Sequence, residues 1–190
     1  MSFVSIIATV NYVSVMSDGR ITGDDNGILD EKHQKVLRLN ENLIIAYTGR
    51  IEGINIFLHG LGEIKKDDDW TQIASDSYEK LINSPLKRHK MAFVFAGKNQ
   101  HGEIEFCTFS TFGHPFSTMK SVENNEFCHA ILVGPYTRGL DTEDIIRKAI
   151  TEGKCSRLEQ VIELQKQLND YVATLDSTVN TVKFHGIVVR

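Results

Sequence analysis

Residues 2–20 read SFVSIIATVNYVSVMSDGR, and the reading of this stretch decides the fold. Residues 4–10 and 12–16 are rich in β-branched and apolar side chains and read as two strands with a break at Asn11. Ser2, Val4, Ile6, Ala8 and Val10 fall on one face; Phe3, Ser5, Ile7 and Thr9 fall on the other. Apolar residues on both faces suit a strand buried on two sides. The hairpin opens on a serine directly behind Met1 and closes on Asp18-Gly19-Arg20, with Asp18 sixteen residues after Ser2. Read alone, Ser2 is a small residue at a chain end. With Met1 removed it carries a hydroxyl and a free amine on one residue, a nucleophile with its own base.

Outward from this hairpin, VLRLNENLIIAYTG at 36–49 is a second one. Val36, Leu37 and Leu39 lead into the polar turn Asn40-Glu41-Asn42, and apolar residues 43–47 return. Ile51, Ile54, Phe57, Leu58 and Leu61 repeat at helical spacing. A second helix is expected from Trp70 to Leu81 or Ile82, with Asp69 as its N-cap. Residues 91–97 and 103–109 read as strands around the turn KNQHG, and 127–134 as another. Residues 142–150 and 156–175 read as helices, the second opened by a Ser156/Glu159 capping box. The chain closes with a β-branched stretch at 181–189.

The order is strands, two helices, strands, two helices, strand. Clustered strands disfavour a parallel doubly wound sheet. Two stacked antiparallel sheets with helix pairs on their outer faces accommodate the order. The expectation is an α/β (α+β) four-layer αββα sandwich.

At 190 residues the chain is expected to be one domain, 1–190, long enough to bury its core without disulfides. Net charge is −4 with dispersed acidic residues, so no basic face suggests nucleic acid or an anionic membrane. Cys107, Cys128 and Cys155 make an odd count without CxxC spacing, which fits a reducing compartment. No signal-peptide pattern or membrane-length apolar run is present, so a cytoplasmic location is expected. No GxGxxG, GxxxxGK[ST] or HExxH occurs, and neither a cofactor nor a metal is expected. The stretch at 23–27 is shaped like a calcium loop, but aligning Asn26-Gly27 on that pattern puts Thr22 first and His33 last, both wrong ligands. Asp67 to Asp69 suit a solvated helix start, and Tyr171 suits core or subunit contact.

With these positions in view, the chain resembles the proteasome β-subunit branch of the N-terminal nucleophile hydrolases. Members expose a Thr, Ser or Cys as the mature N-terminus, followed by a strand hairpin and an Asp-x-Arg turn sixteen residues on. A lysine before an apolar strand, a glycine closing the next strand and a late Asp-x-x-Ser-Gly segment complete their pattern. On this chain Ser2 matches the nucleophile and Asp18-Gly19-Arg20 the turn. Lys35 and Gly49 match the lysine and glycine after one inserted residue, and Asp176 matches the late aspartate. The likeness spans nearly the whole chain in element order.

The resemblance implies amide or peptide hydrolysis through an acyl-enzyme on Ser2, by a protein that assembles into homo-oligomers. A serine hydroxyl needs a base at neutral pH. An α-amine, with a reference pKa of about 7.7–8.0, supplies one. Lys35 would depress that value and favour the deprotonated hydroxyl, and Asp18 would hold Lys35. The Gly49 N–H would donate to the oxyanion, while Asp176 and Ser177 would orient the terminal amine. Arg20 supports the turn.

The chain also departs from the pattern. Gly134-Pro135-Tyr136 stands where the family has Gly-Ser-Gly, and a proline brings neither hydroxyl nor N–H. Val179-Asn180 replaces the late Ser-Gly, so the polar shell around the amine is thinner. Met1 alone precedes Ser2 here, and an amide at Ser2 could not act as base. The runner-up is therefore a catalytically inactive protein of this fold, an assembly or binding subunit. A third reading is a small-ligand-binding α/β domain of another family. At residue level, Ser5 suits a plain strand position, Asp18-Gly19-Arg20 a plain turn, Lys35 with Asp18 a structural ion pair, and Asp176 a helix end.

Overall fold

The computed structural model describes residues 2–23, 27–120, 127–133, 142–153, 155 and 157–190. Met1, Asp24 to Asn26 of the calcium-like loop, Gly134-Pro135-Tyr136 and Ser156 lie outside the described residues.

Strands β1 (Phe3–Ala8) and β2 (Tyr12–Asp18) form the expected hairpin. They are flanked antiparallel by β10 (Cys128–Val133) and β11 (Lys183–Val189) in the order β10-β1-β2-β11. A five-stranded sheet runs β5 (Val36–Asn40), β6 (Leu43–Gly49), β7 (Met91–Lys98), β8 (Ile104–Ser110), β9 (Ser117–Lys120). Every described pairing in both sheets is antiparallel.

Three apolar clusters establish the layers. Val4, Ile6, Ala8, Val13 and Val15 pack against Ile44, Ala46, Val94, Ala96 and Phe106, joining the two sheets face to face. The opposite face of the first sheet, with Phe3 and Ile7, packs under α3 (Thr142–Thr151) and α4 (Leu158–Leu175) through Ile146, Val161, Leu168 and Val172. The outer face of the second sheet, with Ile45, Phe93, Phe95 and Phe109, packs under α1 (Ile51–Leu61) and α2 (Trp70–Ile82). The four-layer αββα sandwich is the architecture observed. Phe109 centres the second helical layer, with ring centroids 5.4 Å from Phe93, 5.7 Å from Phe95 and 5.6 Å from Tyr78.

Local chemistry explains the element ends. The Asp69 carboxylate accepts the Gln72 N–H at 3.1 Å and caps α2, while the buried Trp70 indole N–H donates to the Lys98 carbonyl at 2.8 Å. The last helix starts at Leu158, later than the expected 156, and Gln160 rather than Glu159 reaches back to the Arg157 N–H at 3.1 Å. Two features were not expected from periodicity. The hairpin of β3 (Ile21–Thr22) and β4 (Ile28–Asp30) is too short to alternate, and edge strand β9 is only four residues long with Met119 as its one apolar side chain.

Ser5 is a strand residue. Its carbonyl and hydroxyl both accept from the Gln165 amide, at 3.0 and 3.2 Å, and the same amide reaches the Ser14 carbonyl at 3.2 Å. Gln165 thus satisfies the polar groups that β1 and β2 turn toward α4. Tyr171 is exposed, so it is not a core residue.

Burial of two phenols gives the fold a testable alkaline limit. Desolvation chiefly raises the Tyr12 and Tyr47 hydroxyls from 10.0 to about 12. Unfolded tyrosines release their protons near pH 10 while the folded ones hold them. The native state therefore binds more protons between pH 10 and about 12, and its stability falls as pH rises through that window. Each phenol contributes roughly 2–3 kcal/mol to the fall. Buried Cys107, also raised by desolvation, adds to it in the same direction. In chemical denaturation from pH 9 to 12, Tyr12→Phe with Tyr47→Phe is expected to flatten the slope relative to the parent. Equal slopes would refute the assignment. At pH 7 Tyr12→Phe alone is expected to be near neutral, because its hydroxyl is buried with no hydrogen-bond partner among the described residues.

Candidate active site

The end of β2 delivers Asp18, fully buried, to the start of β1. Its Oδ1 accepts the Phe3 N–H at 2.9 Å and the Lys35 ammonium at 2.9 Å; Oδ2 accepts the Arg20 N–H at 2.8 Å. Lys35 enters from the residue before β5, is 2% exposed, and also donates to the Arg20 carbonyl at 2.5 Å. Desolvation dominates its environment and lowers its pKa, against the opposing pull of Asp18. Burying an ammonium is costly unless it is paired and hydrogen-bonded, and here two acceptors meet that need.

Ser2 is clamped through its peptide to Phe3. The N–H of that peptide bonds Asp18, and its carbonyl accepts the Thr48 hydroxyl at 3.4 Å. Thr48 directly precedes Gly49, so the strand that ends in the glycine also holds Ser2. Gly49 has φ +122°, and a Cβ there would lie 2.1 Å from the Lys90 carbonyl oxygen. Only glycine fits this junction between β6 and α1.

The late segment docks on the same turn. Arg20 donates to the Ser177 carbonyl at 2.5 Å and pairs with Glu31 at 3.0 and 3.1 Å. Asp176 is the C-cap of α4; its Oδ1 accepts the Thr178 N–H at 2.8 Å and hydroxyl at 2.6 Å. Its Oδ2 is buried without a hydrogen-bond partner among the described residues. Ser177 is exposed, and the group it brings to the turn is its backbone carbonyl rather than its hydroxyl.

Ser2, Asp18, Arg20 and Lys35 therefore meet, with Gly49 tied to Ser2 through Thr48. Asp176 lies next in sequence to Ser177, but its carboxylate bonds Thr178. Reading the residues in order missed Thr48, Glu31, His33 and Asn180. The His33 N–H donates to the Gly19 carbonyl at 2.9 Å, and its Nε2 lies 3.1 Å from the Tyr47 hydroxyl. Burial, followed by the nearby Lys35 charge, lowers the His33 pKa. Thr48 had a signal, being the residue before a matched glycine. The others are polar residues in loops or at strand ends whose partners are remote.

Among the described residues, no group of three or more His, Cys, Asp or Glu side chains could hold a metal ion, and no helix is long and apolar enough to cross a membrane.

No protein-family model matches the chain, and no curated protein matches it. Solved structures do. The eukaryotic HslV from Trypanosoma brucei is similar in fold with a TM-score of 0.73 at 12% identity, over 99% of this chain and 99% of its own. Anbu, an ancestral β-subunit from Yersinia bercovieri, is similar with a TM-score of 0.69 at 10% identity, over 97% of this chain and 80% of its own. The chain therefore shares the four-layer αββα fold of these two structures.

Proposed function

We propose that this chain hydrolyses an amide or peptide bond through an acyl-enzyme on Ser2 after removal of Met1. The observation that carries the reading is the buried Lys35–Asp18 pair at 2.9 Å, whose carboxylate also grips the peptide bond following Ser2. Buried charge at a strand start adds little to stability and suits a site that tunes a neighbouring group.

In this reading the α-amine of Ser2 takes the proton from Oγ as Oγ attacks the scissile carbonyl. The Gly49 N–H donates to the oxyanion, and the protonated amine passes its proton to the departing nitrogen. Water, deprotonated by the same amine, then releases the acid and restores Oγ–H. The cation of Lys35, held by Asp18 and the Arg20 carbonyl, keeps the amine unprotonated near neutral pH. In this reading Asp176 and Ser177 orient the amine. The mechanism calls on no cofactor and no metal. We further propose a single domain over 1–190, cytoplasmic, working as a homo-oligomer on a peptide or amide substrate, without nucleic-acid or membrane partners.

A second reading, an inactive assembly or binding subunit, is favoured by one observation: Ser2 is only 5% exposed. The two part on one experiment. Intact mass of untagged protein from its own start codon is expected to show loss of methionine. A β-lactone or vinyl-sulfone probe is then expected to add to Ser2, and not to Ser2→Ala. Full retention of Met1, or equal labelling of both proteins, favours the silent subunit.

A further inference from the structure

We infer that Asn180 is a positioning residue for the Lys35–Asp18 pair, its side-chain amide latching the Asp18-Gly19-Arg20 turn to the segment after α4. The inference rests on the hydrolytic reading for its functional meaning, although the latch itself is geometric.

Asn180 is buried and uses every face of its amide. Oδ1 accepts the Gly19 N–H at 3.0 Å; Nδ2 donates to the Glu31 carbonyl at 2.8 Å and to Glu31 Oε2 at 2.6 Å. Its backbone carbonyl accepts from Asn169 Nδ2 at 2.8 Å, which anchors it to the buried face of α4. Glu31 in turn holds the Arg20 guanidinium, and that guanidinium holds the Ser177 carbonyl. The segment 177–180 is thus tied to Gly19 and Arg20 at both of its ends.

The consequence reaches Lys35. One of its two acceptors is the Arg20 carbonyl, and Asp18 Oδ2 is oriented by the Arg20 N–H. Both depend on the backbone conformation of Gly19-Arg20, which the Asn180 amide holds. The chemistry demands an amide: one acceptor for Gly19 and two donors for Glu31. A carboxylate would lack the donors and set like charge against Glu31, and an alkyl side chain would orphan the Gly19 N–H. This is the position at which the chain departs from the late Ser-Gly pattern, so the departure installs a brace where a hydroxyl neighbour is lost.

The test uses the full chain. Lys35 is selectively observed through its side-chain NMR signals during a pH titration, and Gly19 through its amide exchange. The charged and titratable groups around Lys35 are Asp18 and Arg20 from the β2 end, Asp30 from β4 and His33 from the loop before β5. Asn180→Leu is expected to lower the Lys35 midpoint by about one pH unit, since the ammonium loses a fixed acceptor. Gly19 exchange is expected to rise about tenfold or more, with Ile6 and Val15 protection unchanged. Asn180→Asp is expected to speed Gly19 exchange as well, because it sets a carboxylate against the Glu31 carbonyl and carboxylate that the amide served as donor. If Ser2 reacts with the acylating probe, Asn180→Leu is expected to move the pH profile of acylation with little change in probe affinity. Unaltered Lys35 titration and Gly19 exchange in Asn180→Leu overturn the latch. A Ser2 that never reacts defeats the hydrolytic reading instead and leaves both NMR readouts decisive.

Discussion

Lys35→Met is expected to destabilise the fold by about 3–5 kcal/mol, because it leaves the fully buried Asp18 carboxylate without its cation. Asp18 would keep the Phe3 and Arg20 N–H donors, so the loss should sit at the lower part of that range. Combining Lys35→Met with Asp18→Asn is expected to recover most of it. The neutral amide oxygen still accepts one of the two backbone N–H groups, and no charge remains buried. Urea denaturation measures both steps, with unchanged m-values confirming that only stability moved. The informative outcome is a stable double variant whose Ser2 acylation falls roughly 10²–10⁴-fold. That combination would mean the pair is retained for chemistry. A single Lys35→Met as stable as the parent would show that the pair is not buried as described.

Gly49→Ala is expected to be the most damaging single methyl in the site. A backbone at φ +122° costs an L-residue roughly 1–3 kcal/mol before any contact is counted. The added carbon would also lie 2.1 Å from the Lys90 carbonyl oxygen and 2.8 Å from Met91 Cα, both backbone atoms where the neighbouring strand begins. Relief requires the end of β6 to move away from β7, carrying Thr48 with it and loosening the clamp on Ser2. We expect a loss of several kcal/mol in denaturation, on the order of an overpacked core site with added backbone strain. Acylation at Ser2 should fall about a hundredfold or more as the Gly49 N–H leaves its place. Gly60→Ala is the control: it lies in exposed helix with nothing within 4 Å of a Cβ, and should stabilise by about 0.5–1 kcal/mol. A Gly49→Ala variant as stable as the parent would mean that the strand end is free to adjust.

Much of the layer structure was legible because it depends on local periodicity. Residues 51–61 and 70–82 are helices close to the expected bounds, Ile54 and Phe57 of the expected apolar repeat are buried, and the 36–49 hairpin turns at the expected residues. Each of these places an apolar face against a sheet, and such a face leaves a pattern. The small β3–β4 hairpin and edge strand β9 left none, since strands of two to four residues with at most one apolar residue on a face are too short for alternation to be read.

For the site, the resemblance to the N-terminal nucleophile hydrolases singled out Ser2, Asp18, Lys35, Gly49 and Asp176, each of them near the end of a local element that the sequence placed. The sequence by itself determined the two-sided β1–β2 hairpin, the amphipathic helix pairs and the position of a lone lysine before an apolar strand. Only the tertiary structure decided that Lys35 would be buried on Asp18, that Gln165 would satisfy Ser5 and Ser14, and that Asn180 would reach Gly19. The side chains of Gln165 and Asn180 bond partners 149 to 161 positions away in the chain. A polar side chain carries no periodic signature of such a partner. Its meaning arises when the sandwich closes and a buried donor finds its acceptor.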